Sequence, residues 1–105
     1  MHALGVSDPF RLLADPTRRR LVELTAKAER SVGDLVEATG LSQPAVSKQL
    51  AILREGGLVR VRPEGTHRFY RALPKELAAM RTWLDTVGSQ WGARLDALED
   101  HLERM

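Results

Sequence analysis

Leu41-Ser42-Gln43-Pro44-Ala45-Val46-Ser47-Lys48-Gln49-Leu50-Ala51-Ile52-Leu53-Arg54-Glu55 is the stretch whose reading decides the fold. Ser42 stands at a helix N-cap position, and Pro44 falls in the first turn, where a missing N–H costs nothing. Val46, Leu50 and Leu53 recur at i, i+4 and i+7 as one apolar stripe, whereas Gln43, Pro44, Ser47, Lys48 and Ala51 lie on the other side. That outer face carries amide, hydroxyl and ammonium groups and no large apolar side chain, a chemistry that suits base edges and phosphates. The spacing predicts a recognition helix, with Ser42, Gln43, Pro44, Ser47, Lys48, Gln49 and Arg54 as candidate nucleic-acid contacts.

The residues just before it complete a motif. Val32, Leu35 and Val36 sit at helical spacing within Val32–Ala38, and Thr39-Gly40-Leu41 supplies a tight break in which Gly40 can take a positive φ. Two short helices joined this way read as a helix-turn-helix spanning residues 32–55. After the recognition helix, Gly56-Gly57 ends the helical pattern and Leu58-Val59-Arg60-Val61-Arg62 alternates apolar and basic residues. Pro63-Glu64-Gly65-Thr66 is turn chemistry, and His67-Arg68-Phe69-Tyr70-Arg71-Ala72-Leu73 returns as a second strand. A hairpin over 58–73 behind a helix-turn-helix makes a winged helix, the helix suited to a major groove and the wing to flanking phosphates or the minor groove. Arg62 and Arg68 flank the tip and are the candidate wing contacts.

The charge distribution agrees. The net charge is only +2, but residues 42–75 hold Lys48, Arg54, Arg60, Arg62, Arg68, Arg71 and Lys75 against Glu55 and Glu64 alone. The segment before them is neutral and the segment after them acidic, so the positive field is concentrated where a polyanion would be read.

Upstream, Phe10, Leu12, Leu13 and Ala14 form a short amphipathic helix ended by Asp15-Pro16, since the residue before a proline leaves the helical region. Asp15 or Thr17 can cap the next helix, whose apolar side is Leu21, Val22, Leu24 and Thr25. Arg18, Arg19 and Arg20 lie in its first turn, where three consecutive side chains point in different directions and at most one or two can face one partner. Ala26–Ser31 reads as a polar connection.

From Pro74 the chain is helical again, with Leu77, Met80, Leu84, Val87, Trp91, Leu95, Leu98 and Leu102 at spacings of three and four. This stripe is longer than one small domain can cover, so it predicts a homodimer formed by Phe10, Leu84, Val87, Trp91, Leu95, Leu98 and Leu102. Gly88 and Gly92, four apart, permit either a kink or close backbone approach. The expected architecture is one domain over 1–105, mainly α with a small β-hairpin: a core at 8–73 and a dimerisation helix at 74–105.

Other chemistries find no support. The 105 residues contain no cysteine, which excludes disulfides, thiolate metal sites and cysteine nucleophiles. His2, His67 and His101 lack second ligands at metal spacing, and Gly56-Gly57 lacks the lysine of a phosphate-binding loop. No secretory leader or membrane-length apolar run is present, so the expectation is a cytoplasmic protein that is not an enzyme and needs no cofactor. The competing reading is a protein-interaction module with only non-specific DNA binding.

The strings Asp15-Pro16-Thr17-Arg18-Arg19-Arg20-Leu21, Leu41–Leu50 and Leu53-Arg54-Glu55-Gly56-Gly57-Leu58-Val59 together resemble the ArsR/SmtB family of bacterial winged-helix repressors, over about residues 8–103. The resemblance implies a homodimeric repressor on an inverted-repeat operator in its own or a neighbouring promoter, with the positions of Gln43, Ser47 and Lys48 facing the major groove. Many members have histidine where this chain has Gln49. Metal-sensing members carry Cys-x-Cys where Ser31-Val32-Gly33-Asp34 stands here, and Asp85-Thr86-Val87 and Asp96-Ala97-Leu98 do not supply the Asp-x-His of their other site. Arg81-Thr82-Trp83-Leu84 and the Trp-x-x-Arg-Leu at Trp91 look like the non-metal, SdpR-like autorepressor branch, which implies operator binding without a metal.

Overall fold

The computed structural model describes residues 8–104, with the side chain of Leu95 outside the described set. Eight elements follow in order: α1 (Pro9–Leu12), α2 (Pro16–Lys27), β1 (Arg30–Ser31), α3 (Val32–Thr39), α4 (Gln43–Glu55), β2 (Val59–Glu64), β3 (His67–Ala72) and α5 (Pro74–Glu103).

Local chemistry sets the boundaries. Asp8 caps α1 by accepting from Phe10 N, and Asp15, rather than Thr17, caps α2 by accepting from the backbone N–H groups of Thr17 and Arg18. Ser31 and Asp34 form a reciprocal capping box at the start of α3: Asp34 N donates to Ser31 Oγ, and Ser31 N donates to the Asp34 carboxylate. Gly40 ends α3 with φ at 73°, a left-handed conformation that favours a residue without a Cβ. Ser42 caps α4 by accepting from Ala45 N at 3.2 Å.

The expected apolar stripes meet in one core. Leu21, Val22, Leu24 and Thr25 of α2, Leu35 of α3, and Val46, Leu50 and Leu53 of α4 are all buried, joined by Leu12, Leu58 and Val59. Thr25 satisfies its buried hydroxyl by donating to Leu21 O at 2.8 Å, so it substitutes for an apolar residue at little cost.

The sheet departs from the sequence expectation in two ways. It has three antiparallel strands in the order β1-β3-β2, because Arg30-Ser31 pairs with Tyr70 and Phe69 instead of remaining a polar connection. The hairpin turn is also shorter than expected: Pro63 and Glu64 belong to β2, paired with Arg68 and His67, and only Gly65-Thr66 turns, with Gly65 at φ 63°. Pro63 is compatible with β2 because that strand lies at the sheet edge.

α5 is one uninterrupted helix through Gly88 and Gly92, so the two glycines introduce no break. Its beginning joins the body, through Leu77 at the core and Trp83 at α1. The remainder leaves Leu84, Trp91, Leu98 and Leu102 exposed. Among the described residues no helix is long and apolar enough to cross a membrane.

Candidate nucleic-acid interface

The outer face of α4 is built by its own periodicity. With Val46, Leu50 and Leu53 turned into the core, Ser42, Gln43, Pro44, Lys48 and Ala51 are exposed and Ser47 is half-buried. Gln43 Nε2 donates to Ser47 Oγ at 3.3 Å, which orders the amide along the face. Lys48 and Arg54 make no salt bridge among the described residues, so their charges are available to an external anion.

The wing extends this face. A groove of about 420 Å³ between α4 and the sheet is lined by Ala51, Arg54, Glu55, Arg68 and Tyr70. A second, of about 330 Å³, joins Gln43 to Ser31, Val32 and Gly33 of the α3 end and to Thr66, His67 and Arg68 of the wing. Arg68 lines both, exposed and without a carboxylate partner among the described residues. Gln43, Arg54 and Arg68, drawn from two elements, are thus brought to one surface.

Two of the expected contacts also have partners within the chain. Gln49 lies on the α2-facing side of α4, where its Oε1 accepts from Arg18 Nη1 at 3.0 Å. A glutamine reads adenine through oxygen and nitrogen together, so a base contact by Gln49 would share this oxygen with Arg18.

Arg62 is the second. Its Nε and Nη2 donate to the two Glu29 carboxylate oxygens at 3.0 and 2.7 Å, its Nη1 donates to Glu64, and its guanidinium lies 5.0 Å from the Phe69 ring centroid. The Arg62 hydrogen bonds hold the Glu29 carboxyl below the usual glutamate range against partial desolvation, helped by the charges of Arg62, Arg60 and Arg71. The same carboxylates raise the Arg62 pKa further. Arg62 therefore braces the wing against the α2–β1 connection, a role the sequence hid because Glu29 is 33 residues away.

The arginine run of α2 also has a structural occupation. Arg18 Nε donates to Leu12 O at 2.7 Å, and Arg19 Nη1 donates to Leu13 O at 2.8 Å and Ala14 O at 3.2 Å. These side chains satisfy carbonyls at the end of α1 that have no partner within so short a helix.

Of the expected dimer residues, Phe10, Leu84, Trp91, Leu98 and Leu102 are exposed and Val87 is half-buried, while the Leu95 side chain lies outside the described residues. Sequence reasoning left out Trp83, whose ring meets Phe10 edge-on with centroids 5.2 Å apart. Its signal was an exposed aromatic one position off the regular stripe. Among the described residues, no three His, Asp or Glu side chains are grouped to hold a metal ion.

A family model described as "Bacterial regulatory protein, arsR family" matches residues 15–61. The chain is 46% identical over 76 residues to the HTH-type transcriptional regulator Rv2034 of Mycobacterium tuberculosis, an alignment covering 72% of this chain and 71% of that protein. It is 35% identical over 82 residues to the biofilm growth-associated repressor of Xylella fastidiosa, covering 78% of this chain and 72% of the other. The solved structure of an ArsR-like transcriptional regulator from Rhodococcus sp. RHA1 superposes with a TM-score of 0.72 at 32% identity, over 91% of this chain and 88% of that one. A basic, polar recognition face on a winged helix and these relatives lead to one conclusion: the chain belongs to the arsR family of bacterial regulatory proteins and is a DNA-binding transcriptional regulator.

Proposed function

We propose that the protein is a homodimeric, sequence-specific repressor that binds an inverted-repeat operator, in its own or a neighbouring promoter, and does so without a metal. The observation that carries the reading is the polar outer face of α4: Gln43 bonds Ser47 and shares one groove with Arg68, Arg54 shares another with Arg68, and Lys48 makes no salt bridge among the described residues. Gln43 and Ser47 supply base-edge partners, Lys48, Arg54 and Arg68 supply phosphate charge, and Ser42 and Pro44 set where the helix begins.

Dimerisation through α1 and α5 gives the exposed stripe of Leu84, Trp91, Leu98 and Leu102 a partner. A twofold axis then places half-sites about 10 base pairs apart centre to centre, or a multiple of that. The metal-free part of the reading rests on the α3 start: with no cysteine there, Ser31 and Asp34 spend their side chains on each other in the capping box. The non-metal, autorepressing behaviour of SdpR-like members and a cytoplasmic location belong to the same proposal.

Lys48→Ala tests it. The variant is expected to remain dimeric, to bind a selected operator roughly 10-fold or more weakly, and to show a salt slope reduced by about one. Equal weak binding of wild type and variant to any duplex would support a protein-interaction module instead.

A further inference from the structure

The four residues of α1 are too few to hold a helix by themselves, so their position is set by what grips them. One grip is on α5, through the edge-on contact of Phe10 with Trp83. The other is on the recognition helix, at two points. Leu12, almost fully buried, packs against Gly56 at the end of α4 so closely that a Cβ there would overlap Leu12 Cδ1. Arg18 forms the second point: its Nε donates to Leu12 O at 2.7 Å and its Nη1 to Gln49 Oε1, in the middle of α4, at 3.0 Å.

A guanidinium is a rigid planar fork, so these two bonds fix the end of α1 relative to Gln49. Gln49 directly follows Lys48, so a displacement of α1 is passed to the recognition helix at its middle, beside the reading face.

We propose that Arg18 is a positioning residue that couples the α1–α5 surface to the recognition helix, so that whatever covers or releases Phe10 and Trp83 alters operator affinity through Arg18 and Gln49. The proposal rests on the DNA-reading function of the preceding section and adds the route by which that function is regulated. Arg18 touches no DNA in this account: one face of its guanidinium is spent on Leu12 O and Gln49, and Asp15 lies 3.6 Å from Nη1.

The test is a double-mutant cycle on the full chain, using as probe the duplex that wild type selects most tightly from a random pool, over a salt series. Arg18→Ala and Gln49→Ala are each expected to weaken binding about tenfold, and the double variant to be no weaker than either single one. The salt slope stays at the wild-type value in all three, because no phosphate contact has been removed.

Phe10→Ala, measured at concentrations where sedimentation shows dimers throughout, is expected to weaken binding in the wild-type background and to add nothing to Arg18→Ala. Gln49→Ala keeps the question open to measurement even if Arg18→Ala does not fold. Multiplying losses, a slope lowered by about one in Arg18→Ala, or an equal effect of Phe10→Ala in both backgrounds would overturn the proposal. Failure of wild type to select any duplex would instead remove the DNA-reading function itself, and it is seen before any variant is made.

Discussion

Trp91→Ala probes the proposed dimer at one of the two largest exposed side chains. Trp91 is 55% exposed in the isolated chain, on the part of α5 that projects from the body. A tryptophan has up to about 250 Å² to bury, so roughly 130 Å² remains to be covered by a partner. At about 25 cal/mol per Å² this is roughly 3 kcal/mol per protomer, and a twofold interface counts it twice, for about 6 kcal/mol. Partial coverage and side-chain ordering reduce that figure, so the dimer dissociation constant is expected to rise by roughly 10²- to 10⁴-fold. Sedimentation velocity from sub-micromolar to about 100 μM protein reads the shift directly, and the melting temperature of the monomeric form should not change, because Trp91 supports nothing in the core. A wild-type chain that is monomeric at the top of that range, or a variant that dimerises as tightly as wild type, would refute the reasoning.

Two further outcomes follow from the packing and the ion pairs. Gly56→Ala places a methyl against Leu12 and is expected to destabilise the fold by about 1–3 kcal/mol in urea unfolding, the range for overpacking a tight site; no loss of stability would mean that Leu12 moves freely. Glu29 has a folded pKa below its unfolded one, so its pairing with Arg62 contributes stability that is complete above the ordinary glutamate range and is lost as pH falls through the lowered value. Wild type should therefore exceed Glu29→Gln in melting temperature at neutral pH and converge with it in acid, and a gap that widens on acidification would contradict the pairing.

Much of this was legible in the sequence because it is written in local periods. Val46, Leu50 and Leu53 and the α2 set Leu21, Val22, Leu24 and Thr25 announced their burial by spacing, and Ser42, Gly40 and Pro74 marked helix ends by their chemistry. What escaped were features that depend on distant partners. Arg30-Ser31 has no alternating pattern of its own and becomes a strand only because Tyr70 and Phe69 offer free backbone groups beside it.

The arginines show the same limit more sharply. Arg18, Arg19 and Arg62 have the composition of phosphate contacts, yet they serve Leu12 O, Leu13 O and Glu29. Nothing in a sequence distinguishes a guanidinium facing solvent from one capping a neighbouring helix. Gln49 shows the same limit: its bond to Arg18 joins residues 31 apart in the chain.

The central claim is that the α4 face reads a specific operator without a metal. Its most direct test is binding of chelator-treated protein to the promoter upstream of its own gene, beside an equal-length random duplex, over a salt series. Tight binding to the promoter alone, weakening steeply with salt and roughly 10-fold or more weaker in Lys48→Ala, is the predicted result. Equal and weak binding to both duplexes, unchanged by Lys48→Ala, would contradict it.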